Sequence, residues 1–250
     1  MSRSLGRASI STSTFSKSFL AKAWDARKEL LDYEKRGFAQ FFYLTLCSHI
    51  ESELAFTITR RLHFISRIVR WEDIPLMKWK NQEIEQECPL DPIIQSLKQI
   101  TRRLEADVES APLSKLIELF GRVFPESLRV ILGPELFDDM DSLATLRNIF
   151  AHGRNLTMEF EGEDWSSLKG TLDGNALKKP AERLYRAGVI KGFDINGANY
   201  NDFHASFYCD DAMLYFYKAA QSIETRLESF TPFPPERSWV VQTKLPPLDP

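Results

Sequence analysis

The sequence predicts an all-α protein, a bundle of helices broken by a loop-rich insertion carrying a little β-strand. Apolar residues recur at three- and four-residue steps over long stretches, the spacing of one buried helix face. Alternation with a period of two is confined to one short segment. Of the 250 residues, 43% are apolar, with 18 Phe, 7 Tyr and 5 Trp. That is enough for a sizeable core without metal or disulfide staples.

The first 22 residues carry Arg3, Arg7, Lys17 and Lys22, many Ser and Thr, and no acid. Transit peptides share this composition, but the continuous apolar run of a secretory signal is missing. Residues 1–17 are therefore expected as a flexible tail, and 18–230 as the helical domain. Residues 19–35 are helix-compatible, with Gly37 as a break or weak spot. Tyr43, Leu46, Cys47, Ile50, Leu54, Ile58, Leu62, Ile65 and Ile68 then form the stripe of one long helix. Pro75, Pro89 and Pro92 make 71–92 a loop with one extended piece. Helix returns over 93–108, and Ser114 is placed to cap a short helix over 115–123.

Pro134 opens the next helix, whose stripe is Leu136, Met140, Leu143, Leu146 and Phe150, and Gly153 stands where a left-handed cap would end it. Leu156, Met158 and Phe160 alternate with polar residues, as in a half-exposed strand. Asp173-Gly174 and Asn196-Gly197 are turn signals, and a short helix fits 180–187. Together these make 155–203 the insertion. Cys209, Ala212, Met213, Phe216, Ala220, Ile223 and Leu227 line a last helix. Six prolines among residues 231–250 give an extended tail.

Composition narrows the function. The net charge of −3 excludes a sequence-blind, basic nucleic-acid coat protein and leaves room for a local basic patch. Cys47, Cys88 and Cys209 are odd in number, far apart, and show neither C-x-x-C nor Cys/His ligand spacing. Neither a disulfide framework nor a zinc site is expected, no cofactor is implied, and the cysteine usage fits a reducing, cytoplasmic setting. No apolar run reaches the roughly 18 residues needed to span a bilayer.

The chemistry concentrates in Leu146-Arg147-Asn148-Ile149-Phe150-Ala151-His152-Gly153, at the end of a predicted helix. His152 is one of four histidines, and imidazole exchanges protons near neutral pH. Arginine grips phosphate oxygens with a planar fork of donors. Asn148 and His152 are four apart, so the amide is expected to orient the imidazole. Arg147 and His152 are five apart, about 140° around an ideal helix. A second copy of the helix across a two-fold axis would complete a cleft with two Arg and two His. That set suits RNA cleavage without metal: the 2′-hydroxyl attacks, one histidine takes its proton, another protonates the leaving 5′-oxygen, and arginine stabilises the phosphorane. The products would be a 2′,3′-cyclic phosphate and a 5′-hydroxyl.

This octapeptide resembles the R-x4-6-H signature of the HEPN superfamily, in which a polar residue commonly follows the arginine, as Asn148 does here. The long early helices, the Leu116–Phe120 helix, the motif helix and a last helix after an insertion are similar to a HEPN bundle over about residues 19–230. The resemblance implies a homodimeric, metal-independent endoribonuclease with a composite active site. The implied setting is toxin–antitoxin or antiviral defence, with an antitoxin or another regulatory partner. Some HEPN domains are inactive modules for dimerisation or for binding nucleotides or proteins, which is the alternative reading.

Ordinary roles compete at each position. His152 could be a helix-end cation, Arg147 a surface ion pair with Asp141 or Glu135, and Asn148 a backbone-satisfied amide. Arg154 is a candidate for a flanking phosphate. Arg60, Arg61, Arg67 and Arg70 make the end of the long helix basic. His49 and Glu53 could pair but read equally as solvated flank, while Glu51 on the other flank could face the cleft. His63 and His204 show no partner pattern, and Asp210-Asp211 reads as helix N-terminal charge.

Overall fold

The computed structural model describes residues 12–68, 92–152, 158–160, 168–170, 172–189 and 207–230, with 245, 246 and 248. The fold is all-α. Helix α1 (Thr12–Ala26) begins inside the segment expected as a tail, and a 3-10 turn (Arg27–Glu29) follows. Helix α2 (Asp32–Ile68) runs for 37 residues. Glu34 sets its start: the carboxylate accepts the backbone N–H of Leu31 at 2.8 Å, one half of a capping box. Gly37 lies inside α2 and not at a break. A helix-interior glycine costs only about 1 kcal/mol against Ala, which a helix this long absorbs.

Two compact units share α2: Met1–Glu53 with Arg129–Pro250, and Leu54–Leu128. In the second, α3 (Pro92–Glu109) and α4 (Leu113–Val123) join the far part of α2. Leu54, Ile58, Leu62, Leu116, Leu119 and Phe120 are buried there, and Phe120 stacks on Phe124 at 4.3 Å. Ser114 does not cap α4. Pro112 holds the N-cap with extended ψ, and its carbonyl accepts from Lys115 and Leu116 at 2.9 and 3.0 Å. The expected loop over 71–92 lies outside the described residues except for Pro92, which opens α3.

The short helix α5 (Leu128–Leu132) has no counterpart in the sequence reading, since five residues are too few to show a period. Gly133, at φ +81°, turns the chain into α6 (Pro134–Ala151), and Pro134 opens it as expected. Strands β1 (Met158–Phe160) and β2 (Leu168–Gly170) pair antiparallel, Met158 opposite Gly170. Helix α7 (Leu172–Arg186) is longer than the expected 180–187 and takes Asp173-Gly174 into its first turn. It ends in a Schellman cap on Gly188 (φ +71°), with Val189 N–H to Leu184 O and Gly188 N–H to Tyr185 O, both 2.9 Å. Helix α8 (Asp210–Phe230) buries the predicted stripe from Ala212 to Leu227, while Cys209 is half-buried. Of the proline-rich tail, Leu245 and Pro246 dock on α8: Tyr217 Oη donates to Pro246 O, and Gln221 Nε2 to Leu245 O at 3.1 Å.

The core of the first unit centres on aromatic rings. Tyr43 stacks on Phe150 at 5.7 Å, meets Phe216 edge-on at 5.8 Å, and donates its hydroxyl to Phe207 O at 2.7 Å. Phe42 packs between Trp24 and Tyr217. A buried ionic knot ties α6, α7 and α8. Asp139 Oδ1 accepts from Arg183 Nε at 2.8 Å and from Tyr215 Oη at 2.7 Å.

Candidate functional site

Helix α6 carries the motif. Leu143, Leu146 and Ile149 are buried, and Phe150 is held between Tyr43 and Tyr208. With those positions committed to the core, 3.6 residues per turn put Asn148, Ala151 and His152 on the outer face. All three are exposed, and Arg147 is half-buried at the edge. Anchoring Phe150 two residues before His152 fixes where the helix end presents its imidazole.

The side chain of Asn148 does not face the way the sequence implied. Its Oδ1 accepts from an Arg147 guanidinium nitrogen at 2.9 Å. The link from Asn148 to His152 is through the backbone, Asn148 O accepting the His152 N–H at 3.3 Å. The helix geometry permitted an amide–imidazole pair, but the longer, charged arginine reaches the amide oxygen first and forms the stronger, charge-assisted bond. His152 closes α6 as its C-cap, at φ −96°, ψ 2°. Gly153, expected as the left-handed cap, and Arg154 lie outside the described residues.

Arg147 also acts on α2. The Cys47 thiol is pushed up to about 12, first by burial and then by Glu51, and Arg147 pulls it back down. Glu51 and Arg147 are therefore both within electrostatic reach of the Cys47 sulfur. Cys47 and Glu51 are four apart on one face of α2, and the Glu51 carboxylate is half-buried there. The site contains a cation held by an amide and an exposed imidazole at the helix end, and across from α6 the Glu51 carboxylate acts with Arg147 on the Cys47 thiol.

Neither ion pair considered for Arg147 forms. Asp141 is bonded by Lys179, and Glu135 offers its backbone oxygen to Arg183. His49 and Glu53 are not a solvated flank: both are buried, at 1% and 5% exposure. Arg61 turns its guanidinium over Phe64 and Phe124, 6.0 and 5.9 Å from the ring centres. His63 pairs with Glu105, Nε2 to Oε1 at 3.7 Å, a partnership the sequence did not suggest. Asp210 begins α8, where N-terminal charge was expected, and receives Arg27 Nε at 3.1 Å. Arg70 and His204 lie outside the described residues.

Family models, curated proteins and solved structures alike give no match. Among the described residues, no helix is long and apolar enough to cross a membrane.

Proposed function

We propose that the protein is a metal-independent endoribonuclease of HEPN type, acting as a homodimer on RNA. One observation carries the reading: the only arginine–histidine pair of the motif lies on the outer edge of α6, with the core residues of the same turns turned the other way. Arg147, oriented by Asn148, supplies the cation for the phosphorane. His152 carries the proton transfer, and its two-fold mate completes the acid–base pair. Each motif offers one imidazole, so two copies of it supply a base and an acid in the same step. A role in toxin–antitoxin or antiviral defence, with a regulatory partner, follows from the resemblance to the HEPN motif, and the cysteine usage supports a cytoplasmic setting.

The test is cleavage of total cellular RNA by wild type, Arg147→Ala and His152→Ala, with EDTA added together with the RNA, followed by end-group analysis. The expected result is 2′,3′-cyclic phosphate and 5′-hydroxyl ends from wild type, with each variant down by about 10² or more. Ends bearing 5′-phosphate, or full activity in His152→Ala, would refute the mechanism. Dimers that bind RNA without cutting it would move the assignment to the inactive binding module.

A further inference from the structure

The first unit buries a second group of chemically able residues. His49 and Glu53 stand one turn apart on α2, and Glu224 comes from α8. Their exposures are 1%, 5% and 3%. One donor atom from each, an imidazole nitrogen and two carboxylate oxygens, lies within 4.8 Å of the others. Both ring nitrogens of His49 are sealed from solvent. Glu224 is also held from outside: Leu245 donates its backbone N–H to Oε2 at 2.9 Å, and Leu245 is 4% exposed.

We propose that His49, Glu53 and Glu224 bind one divalent transition-metal ion of the Zn2+ or Mn2+ class, tying α2 to α8. Two carboxylates brought this close away from water repel each other, and a cation between them relieves that repulsion. A dication does so in one step and leaves the group without net charge when the imidazole is neutral. Zinc takes imidazole nitrogen and carboxylate oxygen at about 2.0 to 2.2 Å in a tetrahedron, so two donors on one ion stand about 3.3 to 3.6 Å apart. A pair at the 4.8 Å limit closes by about 1.2 to 1.5 Å, within reach of side-chain rotation about the glutamate torsions. The Leu245 N–H that Oε2 accepts orients the Glu224 carboxylate, the usual outer support of a metal ligand. Sulfur does not join the set: Cys47 lies two residues before His49, about 200° around the helix. Nitrogen with oxygen, and no thiolate, favours Zn2+ or Mn2+ over softer ions. Cys47 and Glu51 are each about 200° around α2 from His49, so the ion sits away from the face that feels the Arg147 charge and braces the fold. The proposal stands apart from the nuclease reading.

The rival occupant is a proton shared within the group, and the experiment separates the two. The full chain is stripped with chelator, dialysed, and given Zn2+ alone or Mn2+ alone. Elemental analysis after desalting should find one equivalent, and the melting temperature should rise by about 5 °C or more with the ion at about 100 times Kd. Glu53→Gln and Glu224→Gln, which keep the side-chain size, should lose both effects. His152→Ala should keep both, which removes the exposed histidine as the source. Co2+ in the wild type should give the weak absorption of nitrogen and oxygen ligands without a thiolate band, a readout that stands even if the glutamine variants fail to fold. Absence of a stoichiometric ion with either metal, undiminished binding in Glu53→Gln, or a thiolate band would each overturn the proposal.

Discussion

The knot of Asp139, Arg183 and Tyr215 should be worth more than any exposed ion pair in this protein, and a double-mutant cycle on Asp139 and Arg183 measures it. The carboxylate is 7% exposed and the guanidinium 17%, so solvent screens the pair poorly. Asp139 Oδ1 takes two charge-assisted bonds, from Arg183 Nε and from Tyr215 Oη, and Arg183 also donates to Glu135 O at 3.2 Å. The hydrogen bond to Asp139 holds Arg183 still more firmly protonated. Hydrogen bonds to charged groups contribute about 1.5 to 3 kcal/mol, and a buried charge stripped of its partner costs about 3 to 5 kcal/mol. Asp139→Asn keeps the shape but removes the anion, and should cost about 2 to 3 kcal/mol. Arg183→Met leaves a buried carboxylate with one donor, and should cost about 3 kcal/mol. The double variant has neither charge, so the coupling should be about 2 kcal/mol. Urea unfolding followed by circular dichroism reads all four proteins, and repeating it in about 1 M salt should leave most of the coupling in place. A coupling below about 0.5 kcal/mol, or one abolished by salt, would refute the view that this knot holds α6 against α7 and α8.

Other perturbations follow from the same geometry. Tyr43→Phe keeps the ring stack on Phe150 but loses the 2.7 Å bond to Phe207 O, and should cost about 1 to 2 kcal/mol in urea unfolding; a neutral result would mean the hydroxyl is not engaged. The Cys47 thiol, pushed up to about 12 by burial and Glu51, should take iodoacetamide at pH 8 at least about 100-fold more slowly in native protein than in urea, read by peptide mass. Burial, then Asp139, raises Tyr215 from 10.0 to about 12, and burial raises Tyr43 and Tyr217 as well. Above pH 10 the unfolded chain loses these protons first, so stability is full below pH 10 and falls as pH rises through 12; a urea midpoint unchanged at pH 11 would contradict this. Asn148→Ala removes the acceptor that orients Arg147 and should slow RNA cleavage about tenfold without altering the helix content. Unchanged cleavage would make that bond incidental.

Much of the helical frame was legible because periodicity reports burial directly. The stripe from Tyr43 to Leu62 and that from Ala212 to Leu227 are the buried faces of α2 and α8. Boundaries were less legible where a local signal was outweighed by neighbours. Gly37 read as a break or a weak spot and lies inside α2, which Glu34 caps upstream, and Asp173-Gly174 read as a turn although it opens α7. Site details that depend on contacts between helices were not legible at all. Glu224 and Asp139 sit on apolar stripes, and a carboxylate in such a position is the one signal that could have marked them. Their partners, 44 and 76 residues on for Asp139 in Arg183 and Tyr215, and on α2 for Glu224, cannot be read from spacing. Asn148 was placed on the right face, but the choice between Arg147 and His152 as its partner depends on side-chain reach and not on helical phase.

The hydroxyl of Tyr43 closes on the carbonyl of a residue 164 positions later. At a synthesis rate of about 5 to 20 residues per second, the ribosome spends roughly 10 to 30 s between making the first partner and making the second. For that interval the aromatic face of α2 has no native cover from Phe207, Phe216 or Tyr217. Leu54–Leu128, a continuous stretch of chain, emerges in the meantime. The growing chain thus carries an apolar surface suited to chaperone capture through most of its translation, and conditions that slow elongation lengthen that exposure in proportion.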